Sequence, residues 1–145
     1  GNGMVFLSTC FMKGEILGIL LNGDKLPEIK WRSRSAPKMP SPILVDDELY
    51  LVNDAGIASC LDAKTGKLHW RERLHAEFSA SPTYADGKIY FCDRNGVTHV
   101  VKPGKSLKVI AKNELDGTAH MASFAPYGKA FLIRTNEALY RVESQ

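Results

Sequence analysis

The sequence is poor in the features that would declare a function outright. It holds three cysteines in 145 residues, Cys10, Cys60 and Cys92, with no Cys-x-x-Cys pair among them. So few thiols so far apart give no disulfide framework, and each sits in an apolar run where a cysteine behaves as a small buried hydrophobe. No block of five like charges occurs, and the net charge is only +3, from 19 basic and 16 acidic residues. Nucleic acid and membrane surfaces are therefore not expected partners. The apolar run Ile16 to Leu21 is far shorter than the ~20 residues a membrane-spanning helix requires, so no direct span is expected. Leu7-Ser8-Thr9-Cys10 has the outline of a lipoprotein cleavage site. Thr9 stands where Gly or Ala is usual, however, and no basic region or long apolar stretch precedes it. The N-terminus reads as a cut inside a domain, and a missing signal peptide there says nothing about secretion.

What is present is a period. Glu48-Leu49-Tyr50-Leu51-Val52 returns as Lys88-Ile89-Tyr90-Phe91-Cys92, forty residues on, and as Lys129-Ala130-Phe131-Leu132-Ile133, forty-one further. An earlier copy, Gly3 to Leu7, lies 45 residues upstream of the Glu48 copy. Ser41-Pro42 recurs as Ser81-Pro82, and Trp31 as Trp70. Several landmarks in one register mark a repeat architecture.

Each unit reads as four short strands. Pro82 to Ala85 runs into Asp86-Gly87, then into the apolar strand Ile89 to Cys92. Asp-Gly between apolar runs is a strong hairpin signal, because both central residues of a type I′ turn need positive φ. Asp46-Asp47 and Tyr127-Gly128 take the same position, and Ala55-Gly56, Asn95-Gly96 and Asn136-Glu137 form a second set of turns. The second strand of each unit is apolar without alternation, so both its faces are expected to be buried. The fourth strand, as in Leu68 to Glu72, carries charge and is expected at a solvated rim.

A forty-residue, four-stranded unit with buried sheet faces predicts an all-β β-propeller of antiparallel blades. The chain supplies about three and a half of them, an arc of a seven- or eight-bladed ring. The blades are expected at 1–40 (incomplete), 41–80, 81–121 and 122–145 (incomplete). Such an arc has open edges and apolar end faces, to be covered by remaining blades or by a second copy of the chain.

The sharpest local pattern is Leu61-Asp62-Ala63-Lys64-Thr65-Gly66-Lys67-Leu68-His69-Trp70. Asp62 is placed to accept backbone N–H bonds across the turn, Gly66 to take a left-handed φ, and Trp70 to pack on the next blade. With Trp31, these are the expected blade-docking residues. The pattern resembles the pyrroloquinoline-quinone-type propeller repeat, most closely over Ser41 to Ile89. It decays elsewhere: Lys102-Pro103-Gly104 replaces the Asp62 segment and Ile110 the tryptophan.

Within that family the chain is similar to non-enzymatic members, such as the propeller lipoproteins of the outer-membrane β-barrel assembly machinery and secreted bacterial propeller proteins. The resemblance implies a periplasmic or secreted scaffold that binds protein or polysaccharide partners. The alternative it implies is the propeller portion of a quinone-dependent alcohol or sugar dehydrogenase whose catalytic residues lie outside this segment.

The residues themselves do not support the quinone cofactor or its calcium, and no catalytic or metal-binding set is expected. Asp93 and Asp116 lie near strand ends or loops, where aspartate commonly serves turns. His69, His75, His99 and His120 lack metal-site spacing. His69 and His99 are expected on blade surfaces. His75 and His120 fall in loops between blades, so Lys38, Asp116 and His120 form the expected partner surface. Arg32 and Arg34 flank Trp31 on a rim strand and suit an acidic partner or plain solvation.

Overall fold

The computed structural model describes residues 1–9, 14–34, 36–115 and 121–143. Four antiparallel sheets follow one another along the chain. The first contains β1 (Met4–Ser8), β2 (Glu15–Leu20) and β3 (Glu28–Arg34). The second runs in order through β4 (Ile43–Val45), β5 (Glu48–Val52), β6 (Ile57–Asp62) and β7 (Leu68–Arg73). The third repeats it with β8 (Thr83–Ala85), β9 (Lys88–Cys92), β10 (Val97–Lys102) and β11 (Lys108–Glu114). The fourth has β12 (Ala125–Tyr127), β13 (Ala130–Arg134) and β14 (Leu139–Glu143). Each sheet is a meander of chain-adjacent strands, and no helix occurs among the described residues. This is the β-propeller arrangement.

Period-two geometry explains the unbroken apolar strands. On β5, Leu49 and Leu51 join a cluster with Met4, Ile16 and Trp31 of the first sheet. Tyr50 and Val52, pointing the other way, join Trp70 of their own sheet and Ile89 and Phe91 of the third. Successive strand side chains face opposite sides, so a strand sandwiched between two sheets must be apolar at every position. The outer strands β3, β7 and β11 are mostly exposed, which is where the charge resides.

Every complete outer pairing carries a β-bulge at the same place, between Gly18 and Ile19, Cys60 and Leu61, and Val100 and Val101. A bulge re-aims the side chains beside it. In this repeat the re-aimed residue is the tryptophan, opposite Gly18 at Trp31 and opposite Cys60 at Trp70.

The ladders revise four details of the sequence reading. Met4, not Gly3, stands at the position of Glu48, because Leu21 bonds Gly3 as Ala63 bonds Asp47. Ala111, opposite Val100, takes the tryptophan position in the third sheet, and Ile110 is the bulged residue. The last hairpin turns at Gly128-Lys129, since Tyr127 pairs with Ala130. His99 is buried at 3% exposure instead of lying on an accessible blade surface. The third strand is covered on both sides, so alternation there does not mean solvent.

Candidate functional surface

Successive sheets are fastened at three levels. At one end of the sheets, the indole Nε1–H of Trp31 donates to the Ala63 carbonyl at 2.9 Å, on the β6–β7 turn of the next sheet. That turn is tied by Asp62, whose Oδ1 accepts from the Lys64 and Thr65 N–H groups and the Thr65 hydroxyl at 2.7–3.1 Å. Those bonds, the Thr65 hydroxyl first, hold the Asp62 carboxyl below its ordinary range. Gly66 has φ +70°, and a β-carbon there would come within 2.6 Å of the Trp31 ring. Glycine is therefore needed twice, for its backbone and for the indole lying on it.

Trp70 repeats the arrangement one sheet later. Its Nε1–H donates to the Gly104 carbonyl at 3.0 Å, and the Gly104 N–H donates to the Tyr50 hydroxyl at 2.7 Å. The Lys102-Pro103-Gly104 turn thus offers the same backbone acceptor without the aspartate. At the inner strands a second set of bonds steps along the serine repeat. Ser41 N–H donates to Ser81 Oγ at 2.9 Å, and Ser81 N–H donates to Ser123 Oγ at 2.9 Å. These serine bonds, Tyr50 and Gly18 were not singled out from sequence. The Ser-Pro repeat was the available signal for the serines.

The third level is the loop face, at the ends of the sheets opposite the tryptophan-docking turns. Residues 74–78 connect the second and third sheets there and are held by backbone bonds. Leu74 N–H donates to Gly56 O at 2.8 Å, Phe78 N–H to Asp54 O at 3.1 Å, and Arg94 N–H to Glu77 O at 2.9 Å. Within this frame His75 sits at φ 57°, a left-handed conformation uncommon for a residue with a β-carbon. Arg94 grips across the junction, from Nε to Ser79 Oγ at 2.6 Å and from Nη1 to Glu77 Oε2 at 3.2 Å. Together Arg73, His75, Glu77, Arg94 and Asn95 line an open cleft over the second and third sheets.

The expected site residues are distributed as follows. Trp31, Asp62 and Gly66 meet at the first junction, and Trp70 stands at the second. Lys38 lies on the loop face, its N–H bonded to Asp54 Oδ2 at 2.8 Å. Asp116 and His120, expected beside Lys38, lie outside the described residues, as does Cys10. Asp93 is buried, and its Oδ1 accepts from the Asn95 and Val97 N–H groups at 2.9 Å each, closing the β9–β10 turn. His69 is half-buried in β7, and His75 faces solvent in the cleft. Burial pushes the Cys60 thiol up to about 12 and the Cys92 thiol up to about 11, so neither is a ready nucleophile. Among the described residues, no three His, Cys, Asp or Glu side chains come together as a cation site. No described helix is long and apolar enough to cross a membrane.

Comparison with known proteins follows the same geometry. The family model of the outer membrane protein assembly factor BamB matches residues 22–120. The chain superposes on BamB from Moraxella catarrhalis with a TM-score of 0.67 at 11% identity, covering 88% of this chain and 39% of that one. It superposes on a europium-containing methanol dehydrogenase with a TM-score of 0.66 at 14% identity, covering 80% and 24%. This chain thus spans well under half the length of either structure, and such identities establish the fold alone. A search of curated proteins returned no significant match. An assembly factor and an oxidoreductase share this architecture, so function has to be argued from the surface.

Proposed function

The chain belongs to the family of the outer membrane protein assembly factor BamB, a PQQ-like β-propeller family, and from that premise we propose that it is a non-catalytic scaffold. It holds a protein or polysaccharide partner on the loop face of its blades, outside the cytoplasm. The observation that carries this reading is the cleft over the junction of the second and third sheets. There, exposed Arg73 at the end of β7 stands beside exposed His75 and Glu77, which sit on a loop fixed by backbone hydrogen bonds at both flanks. A polar surface on a rigid frame binds without the ordering cost that a loose loop would bear. The buried Asp93, by contrast, is tied into its turn, and the Cys60 and Cys92 thiols are buried and protonated.

The proposal includes that the protein works without quinone and without calcium. The similarity to a methanol dehydrogenase makes the rival explicit. It is tested by titrating the protein with pyrroloquinoline quinone in the presence of calcium, following quinone absorbance and dye-linked alcohol oxidation. The scaffold reading expects neither binding nor turnover. Calcium-dependent quinone binding with dye reduction would replace it with the oxidoreductase reading.

A further inference from the structure

Resting on the loop-face reading, we propose that Asp93 and His99 form an acid-sensitive latch that sets how firmly the cleft is held. His99 lies on β10 with its ring 6.1 Å from that of Phe78, the residue ending the cleft loop. Its Nε2 is 3.5 Å from Asp93 Oδ2, an ion-pair distance without hydrogen-bond geometry, and both side chains are only 4% exposed. Neither ring nitrogen has a hydrogen-bond partner. Buried polar groups are normally satisfied, so this pair is a departure that needs a reason.

The repeat supplies the internal control. Ladder partners place His99 opposite Phe91, Ser59 opposite Leu51, and Tyr140 opposite Ile133. The turn-closing residue is Asp93 in the third sheet, Asn53 in the second and Thr135 in the fourth. At these two positions neither neighbouring blade places a carboxylate and an imidazole together. The fold does not require the pair, since Asn53 closes the same turn by accepting the Ile57 N–H at 2.9 Å.

Asp93 also connects the pair to the surface. Its Oδ1 holds the β9–β10 turn, and the next residue, Arg94, clamps Glu77 and Ser79 across the junction. A change at Oδ2 is therefore transmitted through one residue to the cleft wall. Burial holds the His99 imidazole below its ordinary range. The charged groups facing it are Asp93, which favours the imidazolium, and Lys112 on β11, which opposes it. From β9 and the cleft loop it meets Phe91 and Phe78, which carry no charge.

The sign follows from linkage. An opened turn lets His99 protonate near its free value of about 6.5, whereas the closed turn binds that proton only at lower pH. The latch is thus fully closed above about pH 6.5 and weakens as pH falls from there towards the depressed value of the folded state.

The test is amide exchange at Asn95 and Val97, corrected for the intrinsic pH dependence of exchange, between pH 7.5 and 5. Opening should increase on acidification, with a limit of about tenfold per unit by which His99 is depressed. His99→Ser, the residue of the preceding blade, should flatten the profile. Asp93→Asn keeps the turn acceptor but removes the compensating charge, and should steepen it. His75→Ser, an exposed histidine on the cleft loop, should leave it unchanged. A flat wild-type profile, a His99→Ser profile as steep as wild type, or flattening by His75→Ser would each overturn the latch. No partner enters the measurement, so its failure would leave the scaffold reading standing, and failure of the scaffold reading would leave the latch.

Discussion

Replacing Gly66 with alanine tests blade docking more sharply than removing a tryptophan, because its cost has two separable parts. The backbone at residue 66 has φ +70°, and forcing an L-residue into that region costs about 1–2 kcal/mol. The new methyl would also lie 2.6–2.8 Å from Trp31 Cδ2, Cε3 and Cγ. Overpacking of this kind adds about 1–3 kcal/mol, because the indole is held by its bond to Ala63 and cannot slide freely. Gly66→Ala alone should therefore cost about 2–5 kcal/mol. Trp31→Ala should cost about 3–5 kcal/mol through the cavity and the lost hydrogen bond. In the double variant the methyl has no ring to strike, and only the backbone part of its cost should remain. Urea denaturation of the four proteins closes the cycle, with a coupling of about 1–3 kcal/mol expected between positions 35 residues apart in sequence. Costs that simply add would show that Trp31 does not rest on Gly66, and the docking account would fall with it.

Further outcomes follow from the same contacts. Trp70→Ala should destabilise the fold by about 3–5 kcal/mol in denaturant melts, and a loss below about 1 kcal/mol would place the ring at the surface. Asp62→Ala should cost about 0.5–1.5 kcal/mol, the effect of a partly exposed turn-closing carboxylate. Because the folded state depresses the Asp62 pKa, its contribution is present above pH ~3.9 and is lost as pH falls below that. Melts at pH 7 and pH 3 should show the wild-type advantage shrinking. Cys60 and Cys92 should resist a thiol-specific disulfide reagent at pH 8 in the native protein and react on unfolding, and fast native labelling of either would contradict their burial.

The architecture was legible because repetition converts weak local signals into a strong one. Asp86-Gly87 and its forty-residue echo of apolar strands located the hairpins, and the tryptophan period located the junctions. The errors have a common physical source. The β10–β11 turn is one residue longer than the β6–β7 turn, with Val101 opposite Val109 where Leu61 is opposite Leu68, so counting forty from Trp70 arrives at Ile110 when the ladder arrives at Ala111. Likewise, alternation on β10 reads as a strand with one wet face, but a blade's third strand is dry on both, which is how His99 was misplaced. The loop-face cleft was only partly legible. Lys38 and His75 are loop residues by sequence, yet the pairing of Arg94 with Glu77 and Ser79 joins residues that no local pattern relates. Asp54 occupies the position of Arg94 in the preceding blade, so the period itself gave no hint of that clamp.

The claim on which the functional account rests is that the loop face over the second junction, and not the docking end of the sheets, meets a partner. Site-specific photocrosslinking in cells tests it directly, with the crosslinker at position 75 in the cleft and, separately, at position 67 beside the tryptophan-docking turn. The account predicts a discrete adduct from position 75 that is lost in Arg73→Glu, and none from position 67. An adduct from position 67 alone, or none from position 75 in a protein that oxidises alcohols with bound quinone, would contradict it.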